Sequence, residues 1–132
     1  MSEKVENVEM EEVGNDPRRT IIEAIIAANK RFGLLEIISG DPLGNHAHKR
    51  REIFVVVQGK GILYTQKINK FGKKIGEICV QHISAGHVIV IPRYTAHTFV
   101  FTDATKDAPA KMVSEMRGTF EEAGKIICEL VS

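Results

Sequence analysis

Three histidines and one glutamate are the residues of this sequence whose types and spacing could bind a metal ion. His46, His48 and Glu52 follow one another closely, and His97 comes after a second apolar run that ends at Pro92. Because side chains alternate along a β-strand, the even-numbered residues 46, 48 and 52 are predicted to share one face of one strand. Two imidazoles and a carboxylate make up most of a metal site, which His97 could complete as the fourth ligand.

The middle of the chain, which must position these residues, is predicted to be rich in β-strands. Short apolar or alternating segments punctuated by glycines occupy residues 34–38, 53–58, 61–68, 75–82, 88–91 and 97–101. No long helical pattern lies between them, so the order favours an antiparallel sandwich or barrel over a parallel sheet. The segment 20–29 fits an amphipathic helix and an early strand about equally well.

The two ends of the chain differ from this β-rich middle. The acidic residues 1–15 are predicted to form a flexible arm that becomes ordered only against a partner subunit, and residues 16–132 to form one domain. Thr119 and Glu122 have the spacing of a capping box, and apolar residues then recur at helical intervals up to Val131. We therefore expect a short amphipathic C-terminal helix that packs on the outside of the sheet.

Length, charge and composition restrict the class of protein. The 132 residues carry a formal net charge of +1, with 43% hydrophobic and 27% charged residues, which is typical of one soluble domain. Such a charge gives no reason to expect a nucleic acid or an anionic membrane surface as partner. No apolar run reaches the ~20 residues of a membrane helix. Cys79 and Cys128 are predicted to be free, buried thiols in a reducing environment, so the expected location is the cytoplasm.

The candidate ligands belong to a longer pattern of fixed spacing. Its members are Gly40, His46, His48, Glu52 and Gly59. This spacing resembles the first signature motif of the cupin superfamily without a gap. The resemblance extends over about residues 32–116, and it implies an all-β fold, a cupin-type jelly-roll barrel whose motif residues face the interior.

The second cupin motif is matched only in part. Gly86, Pro92 and His97 fit it, whereas Tyr94 and Phe101 stand where the motif has glycine and asparagine. These departures fall at a turn and at a structural position, so they leave the fourth ligand in place.

The cupin resemblance implies a metal. In cupins the residues that match His46, His48, Glu52 and His97 commonly bind a divalent transition metal. Three neutral imidazoles and one carboxylate suit Fe, Mn, Ni, Cu or Zn and leave a position for water or substrate. The inward parity of Phe54 also predicts an apolar pocket beside the site.

Several segments further resemble the cupin sugar-nucleotide 3,4-ketoisomerases. They are Asp-Pro-Arg-Arg-Thr-Ile-Ile-Glu at 16–23, Asn-Lys-Arg-Phe at 29–32, Gly-Asn-His-Ala-His-Lys at 44–49 and Ile-Pro-Arg-Tyr-Thr-Ala-His at 91–97. The chain departs from that family at Arg19 and Ala96, where the family has glycine and tryptophan. In these enzymes the histidines matching His46 and His48 are thought to move protons without a metal. The resemblance therefore implies that these two are catalytic residues of an isomerisation through an enediol.

The two resemblances disagree about the metal, and we expect one because Glu52 would otherwise have no necessary role. The expected function is a sugar or sugar-nucleotide isomerase or epimerase acting through an enediol(ate) next to a carbonyl group. An Fe(II)-dependent dioxygenase and a non-catalytic cupin that binds a small ligand are the alternatives. A homodimer is the expected assembly.

Residues other than the four candidate ligands suggest where a substrate could bind. Tyr64 has inward parity if its strand continues in phase, although it could equally be a core residue. Arg51 lies beside the ligands in a basic run that could clamp a phosphate, or could simply be a solvated loop. Arg93 occupies the turn before His97. We predict these three residues as substrate contacts.

Overall fold

The computed structural model describes residues 8–25, 30–117 and 123–132. Within these ranges almost all regular structure is β-strand. The strands are β1 (Glu11–Asp16), β2 (Arg19–Ile25), β3 (Lys30–Ile37), β4 (Leu43–Ala47), β5 (Glu52–Gln58), β6 (Lys60–Lys67), β7 (Cys79–Ser84), β8 (Val88–Ile91), β9 (Thr95–Val100), β10 (Ala110–Arg117) and β11 (Ile126–Ile127).

The strands form two antiparallel sheets that enclose the core. The first sheet has the order β1-β2-β3-β10-β5-β8, and the second has the order β11-β4-β9-β6-β7. Apolar residues alternate along these strands, as β5 illustrates: Phe54 and Val56 are buried between the sheets, whereas Val55 and Val57 lie on the other face. Burial of one face of each sheet against the other stabilises this arrangement. The predicted jelly-roll architecture is confirmed.

The main core lies between the two sheets. It consists of Ile37, Leu43, Phe54, Val56, Leu63, Ile83, Ile91, Phe99, Phe101, Ala104, Ala110 and Met112. A second, smaller cluster contains Ala47, Ile68, Ala96 and Cys128. Ala47 and Ala96 are the chain neighbours of His46 and His97, so this second cluster supports the histidine-bearing strands from behind.

The N-terminal part of the chain contributes strands to the first sheet. β2 covers Arg19–Ile25, so the ambiguous segment is a strand as far as residue 25, and residues 26–29 lie outside the described ranges. β1 begins at Glu11 and pairs with β2. The acidic arm predicted over residues 1–15 therefore overlaps a paired strand from residue 11 onward.

The C-terminal segment does not form the predicted helix in its described part after Ala123. Residues 123–132 contain the short strand β11, in which Ile126 pairs with Ala47 and Ile127 with His46; residues 119–122 lie outside the described ranges. The backbone amides of this segment bond to β4 and to the Asn45 side chain rather than to a preceding helical turn. Pairing with a sheet edge has thus overridden the helical periodicity.

Two further sequence expectations can be compared with the structure. Cys128 is buried as predicted, but Cys79 is exposed because it begins the edge strand β7. Within the described ranges the structure contains no helix of the length and apolar character needed to cross a membrane.

Candidate metal centre

A β-bulge in β4 directs His46 and His48 into the space between the sheets. The register of β4 against β9 shifts between Gly44 and His46, where Gly44 and Asn45 both have positive φ angles of 111° and 54°. Leu43 is buried in the main core, so strict alternation from it would turn Ala47 inward and both histidines outward. The one extra residue of the bulge reverses this phase. It therefore puts Leu43 and both histidines on the same side of the strand.

Glu52 reaches the same place from the opposite sheet. The prediction that residues 46, 48 and 52 share one strand face is wrong: β4 ends at Ala47, His48 follows it, and β5 begins at Glu52 in the other sheet. The turn between them carries the chain across the barrel, and Glu52 shares the inward phase of Phe54. The side chains converge because two sheets face each other across the cavity.

His97 completes the group from β9, next to β4. It pairs directly with His46 across the two strands, which places their ring centroids 4.8 Å apart, and His48 lies 4.7 Å from His46. The potential ligand atoms of the three histidines all lie within 4.8 Å of one another. His97 is only 2% exposed.

Backbone carbonyl groups fix the orientation of two of the imidazoles. His48 Nδ1 donates to the carbonyl oxygen of Gly124, and His97 Nδ1 to that of Thr95 at 3.3 Å. With the proton on Nδ1, the Nε2 lone pair of each ring is available. Both Nε2 atoms face Glu52: Oε1 lies 3.8 Å from His48 Nε2 and 3.6 Å from His97 Nε2.

Burial controls the charge of all four groups. It lowers the pKa of His46 to about 2, with a further contribution from the neighbouring His97 and His48, and lowers the pKa of His97 to about 4. The pKa of His48 is also lowered by burial. Burial raises the pKa of Glu52 to about 8, against the opposing effect of the Arg31 charge. At neutral pH the imidazoles are therefore uncharged and keep their lone pairs.

These residues fit a divalent transition metal. Two nitrogen or oxygen ligands of one ion lie at most about 4 Å apart, since each bond measures about 2.0–2.2 Å. The two distances from Glu52 Oε1 to the Nε2 atoms of His48 and His97 satisfy this limit. The donor atoms of the three imidazoles lie within 4.8 Å of one another, so a small adjustment of the side chains would bring them within the same limit. Glu52 Oε1 is buried and makes no hydrogen bond within the described part of the chain, so this oxygen lacks the partner that a cation would supply.

The four residues, from both sheets, line a cavity of about 540 Å³. Phe54, Phe99 and Met112 form an apolar floor beside them, and the predicted apolar pocket is thus present. The cavity is also lined by charged side chains that were not predicted to belong to the site: Arg18, Arg19, Glu23, Arg31 and Lys125. They come from the turn between β1 and β2, from β2 and β3, and from the C-terminal segment. The partial family likeness at 16–23 and 29–32 was the available signal for most of them.

The three predicted substrate contacts lie elsewhere. Tyr64 does not line the cavity, because the β5–β6 turn sets a phase in which its neighbour Leu63 is the buried residue. Arg51 is exposed in a shallow surface depression with Arg117, and Arg93 is exposed beside Lys67. These surfaces are separate from the cavity that contains the histidines.

Comparison with known proteins identifies the fold. No family model matches the sequence, and none of the curated proteins does. Among solved structures, the capsular polysaccharide assembling protein CapF from Staphylococcus aureus is similar, with 21% identity and a TM-score of 0.74 over 96% of this chain and 33% of that one. The oxalate decarboxylase OxdC of Bacillus subtilis has 15% identity and a TM-score of 0.68, covering 89% and 30%.

An oxalate oxidase is a further similar structure, with 19% identity and a TM-score of 0.64, covering 86% of this chain and 58% of that one. The chain spans about a third of the length of the first two proteins. All three are cupins. The motif spacing, the two facing sheets and these structural likenesses agree, and the chain has the fold of the cupin superfamily.

Proposed function

We propose that this protein binds a divalent transition metal through His46, His48, Glu52 and His97, and that it acts as a sugar or sugar-nucleotide isomerase or epimerase. The observation that carries the proposal is the convergence of three histidines and Glu52, from both sheets, on one cavity. Fe, Mn, Ni, Cu and Zn all accept such a donor set.

A bound divalent metal would polarise a substrate carbonyl and stabilise negative charge on its oxygen. The chain supplies the surroundings for this chemistry. The carbonyl groups of Gly124 and Thr95 hold two imidazoles with Nε2 directed to the site. The apolar floor formed by Phe54, Phe99 and Met112 lowers the local dielectric and strengthens electrostatic interactions there.

An isomerisation next to a carbonyl also needs a group that removes a proton from one carbon and returns it to the neighbouring carbon. In the metal-free alternative His46 and His48 would do this, but burial lowers the pKa of both and makes them weak bases. In the metal-bound form we assign proton transfer to Glu23, the one carboxylate outside the ligand set among the described residues that line the cavity. Burial raises the pKa of Glu23, which the Arg31 charge opposes.

The charged walls of the cavity support a substrate that carries an anionic group. Arg18 binds Asp16 through two nitrogens, and Arg19 Nη1 lies 3.3 Å from the same carboxylate. One carboxylate thus orients two guanidinium groups, which leaves this corner with a net positive charge. A phosphate or diphosphate of a sugar nucleotide matches such a corner.

A dioxygenase dependent on Fe(II) is the second candidate. The same cationic corner supports it, because this corner could equally hold a small carboxylate substrate. Ligand binding without catalysis is the third outcome that the experiment below distinguishes.

Metal content and proton exchange test the proposal. We expect the purified protein to contain stoichiometric metal, and His97→Ala to lose it while the control His87→Ala, at an exposed histidine, retains it.

With a 4-keto-6-deoxy sugar nucleotide in D2O, deuterium should enter the carbon next to the carbonyl, and Glu23→Gln should abolish this exchange. Turnover by metal-free protein would refute the metal, and oxygen uptake dependent on Fe(II) would identify the dioxygenase. A retained small molecule without turnover would indicate a binding protein.

The outer face of the first sheet supports the predicted homodimer. Ile22, Leu34, Val113, Val55 and Val88 are neighbours across five strands and form an apolar row on this face. Val88 at its end is 64% exposed. A second copy of the chain could cover this row. Light scattering should report a dimer, and Val88→Lys should shift it toward monomer. The cytoplasmic location stays a prediction.

A further inference from the structure

The phase of β4 depends on a single non-glycine residue in an unusual backbone conformation. Asn45 has a φ angle of 54°, in the left-handed region, and it occupies the bulge between Leu43 and His46. Asparagine tolerates this region better than most residues, but the conformation still needs support from its surroundings. If Asn45 returned to an extended conformation, the bulge would be lost and His46 and His48 would turn away from the cavity.

The support comes from the C-terminal segment. Asn45 Oδ1 accepts hydrogen bonds from the amides of Leu130 at 2.8 Å and Val131 at 3.1 Å, and from the Thr98 hydroxyl at 2.7 Å. Its Nδ2 donates to the carbonyl oxygen of Val131 at 2.7 Å. The amide of Cys128 donates to the Asn45 carbonyl oxygen at 2.9 Å. Both functional ends of the side chain are thus bonded to a segment more than eighty residues away in sequence.

The same segment also holds the other end of the ligand-bearing stretch. The carbonyl oxygen of Gly124 accepts from His48 Nδ1, and that of Ala123 accepts from the Lys49 amide. β11 pairs with β4 between these two points, opposite Ala47 and His46. Residues 123–131 therefore contact the chain immediately before, along and immediately after the two histidines.

We infer that Asn45 is a positioning residue and that residues 123–131 form a C-terminal strap that locks the bulge and thereby sets the geometry of the metal centre. The role in metal binding rests on the proposed function, whereas the effect on histidine orientation does not. Bonds to the groups that orient metal ligands commonly contribute 10–100-fold to metal affinity.

Two variants test the strap from its two sides. Asn45→Gly keeps the positive φ angle available and removes the side-chain hydrogen bonds, while Val131→Pro removes one of the bonded amides and leaves Asn45 intact. Asn69→Gly is the matched control. Its side chain also accepts from two backbone amides, those of Phe71 and Lys73, but in the turn that follows β6.

Co(II) binding followed by visible absorption gives the first readout, and the nuclear Overhauser effect between the His46 and His97 rings of the metal-free protein gives the second. We expect Asn45→Gly and Val131→Pro to bind Co(II) 10–100-fold more weakly, with an altered spectrum and a weakened ring-to-ring signal. Asn69→Gly should match the wild type in both, whatever its stability.

Unchanged Co(II) binding and an unchanged ring-to-ring signal in both variants would overturn the inference, as would equal losses in Asn69→Gly. If the wild type bound no Co(II), the metal proposal would fail, and the ring-to-ring signal alone would decide about the strap. Should one variant fail to fold, the other provides the same comparison.

Discussion

Replacement of Gly44 by alanine is the most direct test of how the two histidine strands fit together. Gly44 has a φ angle of 111°, and a Cβ atom built on it would lie 2.5 Å from the carbonyl oxygen of His97. The same atom would lie 3.5 Å from the Cα of Thr98. The obstacle is the backbone of β9, so no side-chain rotation can relieve the contact.

The cost can be worked out from these contacts. An ordinary carbon–oxygen contact measures about 3.3 Å or more, so the strands must separate by about 0.8 Å. Crowding of this kind costs about 1–3 kcal/mol, and the left-handed backbone conformation about 1–2 kcal/mol for a residue with a Cβ. We therefore expect Gly44→Ala to lower the free energy of unfolding by about 2–5 kcal/mol. Because ligand positions matter to within about 0.5 Å, metal affinity should fall at least about tenfold.

Gly86→Ala is the matched control, because Gly86 has a similar φ angle of 96° and a Cβ there would meet nothing within 4 Å. This variant should lose only the backbone contribution of about 1–2 kcal/mol and should keep wild-type metal affinity. Urea unfolding and Co(II) titration of both variants measure the difference. If Gly44→Ala were no less stable than Gly86→Ala and bound Co(II) as tightly as the wild type, the described packing of β4 on β9 would be refuted.

Three other predictions follow from buried or paired groups. Metal affinity should rise about tenfold per pH unit from pH 6 to 8 and level off above pH 8, because Glu52, whose pKa is raised to about 8, must release a proton when the metal binds. The metal affinity of Glu52→Gln should not change with pH over this range. Arg18 and Arg19 lower the pKa of Asp16 to about 2, mainly through the hydrogen bond from Arg18, so this carboxylate stabilises the fold above pH 4 and loses the effect as the pH falls through 2. Discounted for partial exposure, its contribution is about 1 kcal/mol, and the difference between wild type and Asp16→Asn in urea unfolding should vanish near pH 2; a difference that persisted there would contradict the assignment. Met112→Ala, at a fully buried position of the cavity floor, should lower the free energy of unfolding by about 2–4 kcal/mol, as measured by thermal or urea unfolding. An equal loss of stability in Val113→Ala, on the outer face of the sheet, would argue against this account of the core.

Local patterns in the sequence were sufficient to predict a β-rich fold and to select the candidate ligands. Alternating apolar residues predicted strands where β5, β8 and β9 are found, because burial of one sheet face leaves a period-two pattern in the chain. The spacing of His46, His48, Glu52 and His97 selected the four side chains that the structure brings together. Prediction of the strand from residue 75 was less accurate, since β7 begins at Cys79.

The predictions that failed concern contacts between distant parts of the chain. Helical periodicity after residue 119 predicted a helix, but residues 126 and 127 pair with β4, and no local pattern reveals the edge of a sheet built elsewhere. Tyr64 was expected to face inward because the alternation of inward and outward side chains along β5 was assumed to continue into β6. The β5–β6 turn changes this alternation, so that Leu63 is the buried residue. Arg18, Arg19 and Glu23 reach the cavity only because β1 and β2 extend the first sheet beyond β3.

The sequence by itself determined which atoms could bind a metal, since residue type and short spacing depend only on the local chain. Tertiary structure alone decided how they meet. Glu52 approaches from the sheet opposite His46 and His48. The bulge at Gly44–Asn45 turns both histidines inward. It forms because β4 must stay in register with β9, 53 residues away in the chain, while the C-terminal segment bonds to Asn45. Register and strand phase are properties of pairs of segments, so they were fixed only when those segments packed together.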